Sequence, residues 1–87
     1  MKALITGGAG FIGSHLADKL VANANEVILL DDLSTGREQN IKHLLQRTDV
    51  KFVRGSILDA DLVDSLTSQV DITYHLAAAV GVDLIVK

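Results

Sequence analysis

The chain has 87 residues, 48% of them hydrophobic and 3% aromatic, with a formal net charge of −3 and a mean hydropathy of +0.33. This balance describes one globular domain at most and excludes a disordered chain, while the mild acidity and scarce aromatics leave nucleic acid neither a basic face nor a stacking platform. With no cysteine there is no disulfide framework or thiolate metal site; the apolar runs fall short of the ~18 residues a membrane span needs, and with no leader ahead of the first strand the expected location is cytoplasmic.

Lys2 to Thr6 reads as an apolar strand that runs directly into Gly7, Gly10 and Gly13 and then into a helix marked by Ile12, Leu16, Leu20 and Val21. That order is the signature of a dinucleotide-binding turn. Gly7 stands where the strand must turn sharply and a positive φ is needed. Gly10 stands where a pyrophosphate approaches the backbone, and Gly13 falls in the first helical turn, where a side chain would push helix and strand apart. The helix N-terminus offers about half a positive charge and free N–H donors to the phosphates. No Gly-Lys-Ser/Thr follows, which argues against a nucleoside-triphosphate loop. Asn23 to Asn25 end the helix.

The second strand, Val27 to Leu30, ends in Asp31-Asp32. Asp31 lies about 20 residues beyond the glycines, where an acid accepts the adenosine ribose hydroxyls and repels a 2′-phosphate, so the pattern favours NAD over NADP. Arg37 is able to soften that preference or to stand as a solvated first-turn residue. Ser34-Thr35-Gly36 forms a turn whose hydroxyls serve the cofactor, the next helix as its N-cap, or both. Ile41, Leu44 and Leu45 mark a second helix between Arg37 and Arg47, and Val50 to Arg54 reads as strand three. Asp59 to Ser68 reads as a short third helix with Leu62, Val63 and Leu66 on one face and Asp59 as N-cap; Val70 to His75 is strand four.

Right-handed crossovers through these elements give an α/β, Rossmann-type parallel sheet in the order 3-2-1-4 with helices on both faces. Residues 1–87 then form the amino-terminal part of one dinucleotide-binding domain, without the later strands and without a second, substrate domain. His15, His43 and His75 share no ligand spacing, so no metal site is expected. Asp59, Asp61 and Asp64 read as partners of a helix dipole and solvated charges.

Three segments in order, Thr6 to Leu16, Asp31 to Gly36 and Tyr74 to Ala78, resemble the extended short-chain dehydrogenase/reductases, specifically the NAD-dependent nucleotide-sugar epimerase/dehydratase group. The resemblance runs through essentially the whole chain, which corresponds to about the first quarter to third of such an enzyme. It implies that Gly7, Gly10, Phe11 and Ile12, with Gly13, line the pyrophosphate. By the same resemblance Asp31, Asp32, Leu33, Ser34, Thr35 and Gly36 surround the adenosine ribose and its phosphate, and Leu76, Ala77, Ala78 and Ala79 pass beside the remaining sugar and phosphate atoms. Where the group commonly has Gly-Asp-Ile at the adenine, this chain has Gly55-Ser56-Ile57. A serine hydroxyl there is a neutral acceptor, worth roughly 1 kcal/mol against the 1.5 to 3 of a charged partner, so weaker adenine binding is expected.

The group's Tyr-x-x-x-Lys pair is missing, since Tyr74 is followed four positions later by Ala78. Tyr74 reads as a strand residue packing on the sheet, and no catalytic residue is assigned. The resemblance therefore implies the NAD-binding part of a nucleotide-sugar enzyme, UDP-glucose 4-epimerase-like, itself incapable of the reaction. A UDP-glucuronate decarboxylase, a dTDP-glucose 4,6-dehydratase or a stand-alone non-catalytic module remain alternatives. Met1 opening into a strand suggests a natural start and Lys87 a truncation in mid-fold. With later strands absent, the strand-four edge or the β-branched tail Val80 to Lys87 is expected to mediate self-association; NAD and, in the whole enzyme, a nucleotide sugar are the other expected partners.

Overall fold

The computed structural model describes residues 1–34 and 36–77. The elements are β1 (Lys2–Thr6), α1 (Phe11–Ala22), β2 (Glu26–Asp31), β3 (Val50–Arg54), α2 (Ala60–Thr67) and β4 (Ile72–His75), with two short 3-10 turns at Glu38–Asn40 and Lys42–Leu44. All strand pairings are parallel and the sheet order is β3-β2-β1-β4. The expected topology is the observed one.

Alternation along the strands divides the core in two. Ile5, Val27 and Leu29 point to one face, where Ala17 and Val21 of α1 join Ile41 and Leu44. Leu4, Ile28 and Leu30 point to the other, against Leu66 of α2 with Leu62, Val63 and Val70 around it. Because both faces of β1 and β2 are covered, these strands read in sequence as unbroken apolar runs. Each fully buried Leu or Ile contributes roughly 1.5–3 kcal/mol, so these two central strands dominate the stability.

The ends of the helices follow from local chemistry. Asp59 caps α2 by accepting a hydrogen bond from the Leu62 amide, as its position predicts. At the end of α1, the Asn23 and Asn25 side-chain amides donate to the carbonyls of Lys19 and Leu20, adding to the backbone amides of the same two asparagines that already reach them. Between those asparagines Ala24 takes the left-handed conformation, φ +64°. The strand expected from Val70 begins at Ile72, because the Asp71 amide donates to Lys2 and Val70 is drawn under α2.

One expected helix is corrected. Residues 37–47 form the two 3-10 turns, with amides reaching three residues back, as from Asn40 to Arg37 and from Leu44 to Ile41. Only Ile41 and Leu44 are buried here, while Leu45 stays partly in solvent. A spacing of three superposes those two side chains on a 3-10 turn, whereas an α-helix needs a longer stripe to repay its nucleation. His43, in the second turn, is exposed and meets Asp18 of α1 at 2.6 Å.

Candidate functional site

The carboxyl ends of the four strands gather the glycine turn after β1, the acidic loop after β2, the Gly55–Leu58 loop after β3 and Leu76-Ala77 after β4. A crevice at this end of an open α/β sheet is where ligands bind. Gly7 has φ +71°, and a Cβ built on it would stand 2.9 Å from the Ala77 amide nitrogen. A Cβ on Gly13 would collide with the Gly7 carbonyl, so Gly13 lets α1 start directly against the turn itself rather than against the strand. The turn is fastened to β2, whose Leu30 carbonyl accepts from the Gly7 amide at 2.7 Å.

Asp31 is 8% exposed, and its carboxylate already serves the backbone. One oxygen accepts from the Ala9 amide at 2.9 Å and the other from the Leu33 amide at 2.8 Å. Each oxygen keeps a second lone pair. The Ala9 carbonyl in turn accepts from the Arg37 amide at 3.0 Å and the Asn40 side-chain amide at 2.8 Å. Ala9 of the glycine turn is thus held by the last residue of β2 and by two residues beyond it. Sequence reading missed Ala9 and Asn40, because nothing in their spacing marks them; the buried Gly36, packed on Asp31 and Ala9, is the nearest signal.

Asp32 is exposed, and hydrogen bonds from Ser34, backbone first and then hydroxyl, hold its carboxyl below the usual 3.8, with the Arg54 guanidinium adding to the effect. Leu33 between them has φ +64°. Ser34 therefore caps no helix; the first 3-10 turn begins at Arg37 without a side-chain cap. Ser56 is half-buried, its hydroxyl oxygen accepting from the Leu58 amide at 3.0 Å, which leaves one lone pair and the proton for a ligand. Ile57 packs beneath it on the α2 face.

The N-terminus of α1 is bare. Gly10 supplies no side-chain cap, the first turn holds no acid, and the amides of Phe11, Ile12 and Gly13 have no partner among the described residues. Phe11 and Ile12 stand 74% and 70% exposed beside it, and the Phe11 ring meets the His15 ring with centroids 4.4 Å apart. Three free donors at the positive end of a helix, with no acid beside them, are the kind of group that receives an anion. Tyr74 packs half-buried on the α1 face, as a strand residue should. Thr35, Ala78, Ala79 and the tail from Val80 lie outside the described residues. Among the described residues there is no cluster of metal-ligating side chains, and no helix is long and apolar enough to cross a membrane.

The sequence pattern of the GDP-mannose 4,6 dehydratase family matches residues 4–87. The chain belongs to that family. Among curated members of this kind, it is 43% identical over 83 residues to the UDP-glucose 4-epimerase of Mycolicibacterium smegmatis, covering 94% of this chain and 26% of that one. It is 42% identical over 77 residues to UDP-glucuronic acid decarboxylase 1 of Arabidopsis thaliana, covering 88% of this chain and 17% of the relative. Among solved structures it is similar to DesIV, a dTDP-glucose 4,6-dehydratase of Streptomyces venezuelae with NAD bound, at TM-score 0.82 and 41% identity over 91% of this chain and 27% of that one. The chain thus spans about a quarter or less of the length of these relatives. Membership of the GDP-mannose 4,6 dehydratase family accords with the resemblance read from the three motif segments, and the parallel order 3-2-1-4 is the fold its structural neighbours share.

Proposed function

We propose that this chain is the NAD-binding portion of a nucleotide-sugar epimerase or dehydratase, of the UDP-glucose 4-epimerase kind. The observation that carries the reading is the uncapped N-terminus of α1 set beside a buried acid at the end of β2. Bound NAD supplies a hydride acceptor for transient oxidation of a sugar carbon. The chain's own residues bind and orient it. The amides of Phe11, Ile12 and Gly13 receive the pyrophosphate, Gly10 keeps the approach to them free of a side chain, and Gly7 gives the turn its positive φ beside Ala77. Asp31 and Asp32 take the adenosine ribose through their remaining lone pairs, with Leu33, Ser34, Thr35 and Gly36 around it. The base then lies one strand further out, at Ser56 and Ile57 after β3, a reading supported by the pairing of β3 with β2. Leu76, Ala77, Ala78 and Ala79 flank the other half of the dinucleotide.

Two acids at the ribose favour NAD over NADP. Calorimetric titration with each dinucleotide checks this: NAD is expected to bind at least about tenfold more tightly, the ratio one charge-assisted contact supplies. Equal or tighter NADP binding overturns the assignment. Similarity to a decarboxylase and a dehydratase as well as an epimerase means that the sugar and the reaction are set by residues beyond the shared cofactor portion. Without a Tyr-x-x-x-Lys pair, these 87 residues alone do not interconvert UDP-sugars. Residues 1–87 are read as the amino-terminal part of one dinucleotide-binding domain, and a cysteine-free chain suits the reducing cytoplasm.

The outer edge of β4 offers unpaired backbone groups among the described residues, with Ile72 37% exposed upon it. We read this edge as the surface through which copies of the chain associate. Light scattering at micromolar concentration is expected to show species larger than a monomer, and Ile72→Lys to shift them to monomer. A clean monomer before substitution overturns the reading.

A further inference from the structure

Thr6 closes β1 with only 1% of its surface exposed, so its hydroxyl must find its partners inside the protein. Two are present among the described residues. The Ala77 amide nitrogen lies 3.2 Å from Oγ1 and can only donate to it. His75 Nδ1 lies 2.9 Å from the same oxygen. With the amide taking a lone pair, the one acceptor for the hydroxyl proton among the described residues is His75 Nδ1, and the hydroxyl is fully satisfied only if that nitrogen is bare. The ring then carries its proton on Nε2.

This relay sits at a functional seam. The Thr6 backbone carbonyl accepts from the Leu76 amide at 3.2 Å, so main chain and side chain of one residue hold two successive amides after β4. The next residue of β1's exit is Gly7, whose missing Cβ is what lets the Ala77 nitrogen come so near the glycine turn. Without Thr6 Oγ1, the Ala77 amide has no other hydrogen-bond partner among the described residues, and the segment is held there through the Leu76 amide alone. The His75 ring fixes the direction of the hydroxyl proton and so leaves the lone pair facing Ala77.

We propose that Thr6 and His75 are positioning residues for the cofactor site, locking the segment after β4 to the glycine turn with His75 held in its Nε2–H tautomer. The inference rests on the reading of this crevice as an NAD site, but its first test does not use NAD. Ring 15N chemical shifts of His75, recorded on the unsubstituted protein at about pH 8, where an ordinary histidine is unprotonated, are expected to show Nδ1 bare and Nε2 protonated. An Nδ1–H tautomer overturns the proposal.

The second test compares Thr6→Val, which keeps the shape and removes the hydroxyl, with Thr6→Ser, which restores it. Thr6→Val is expected to release the His75 tautomer into a mixture and to weaken NAD binding about tenfold by calorimetry, the size of one lost buried hydrogen bond. Thr6→Ser is expected to keep the tautomer and hold the affinity within about twofold. NAD affinity unchanged in Thr6→Val overturns the positioning role even if the tautomer is as stated. Failure of the unsubstituted protein to bind NAD overturns the cofactor reading itself, and the positioning role with it.

Discussion

At Asp31 the proposed ribose contact and the backbone compete for the same four lone pairs. Two of them hold the Ala9 and Leu33 amides, so the ribose hydroxyls proposed to bind there can claim only what remains, and the acid braces the glycine turn with or without a sugar. Asp31→Asn replaces one carboxylate oxygen by an NH2 group that must face an N–H. The expected cost is about 1.5–3 kcal/mol of stability even without cofactor, the worth of a buried hydrogen bond to a charged group, read from urea denaturation. Asp32 behaves differently because it is exposed. Its carboxyl is held below 3.8 in the folded chain by Ser34 and then Arg54. A carboxylate so depressed contributes stability above its unfolded value and loses it as the pH falls through its folded value. The stability difference between the protein and Asp32→Asn is therefore expected to be fully present above the ordinary carboxylate range and to fall away as the pH drops through the lowered folded value; a difference independent of pH contradicts the Ser34 contacts. The glycine spacing and Asp31 were legible in the sequence because the chemistry they serve dictates fixed offsets. Ala9, Asn40 and the Thr6–His75 contact were not, because long-range hydrogen bonds leave no periodic trace.

At the scale of elements, the strands and both α-helices could be read from apolar periodicity, since each buries a continuous face. The segment from Arg37 to Arg47 could not. Its two buried residues, Ile41 and Leu44, fit a 3-10 turn and an α-helix equally in sequence. The deciding contacts lie elsewhere, where Arg37 and Asn40 reach the Ala9 carbonyl and draw the segment down over the glycine turn. The exit of α1 shows a local cost that sequence reading also passed over. Ala24 has φ +64° with a Cβ that disfavours it, by about 1–2 kcal/mol for an L-residue in that region. Ala24→Gly removes the clash and gives back part of the gain in unfolded-state entropy. A net increase in stability of about 0.5–1 kcal/mol is expected from thermal or urea unfolding; a decrease means that the turn is not left-handed in solution.

At the scale of the whole molecule, the sheet order was legible because parallel strands with right-handed crossovers leave few arrangements. Its edges were legible only as an expectation of pairing, since what covers an edge is not written in the strand. The order also brings β1 beside β4, so that Thr6 meets a histidine 69 positions away. The Ala9 peptide joins these scales. Its N–H is held by the end of β2 and its C=O by the segment beyond it, so the turn is tied to both sides of the chain's first crossover. Opening of the turn and opening of the sheet should then be one event. Amide exchange checks this: the Ala9 N–H, although in a loop, is expected to exchange as slowly as the central amides of β2, and exchange at the rate of an ordinary loop would show the turn opening by itself. A glycine-rich turn is commonly pictured as a pliable flap at the margin of its domain. Here it is a keystone, and a ligand seated on it would tighten the entire sheet rather than a local patch.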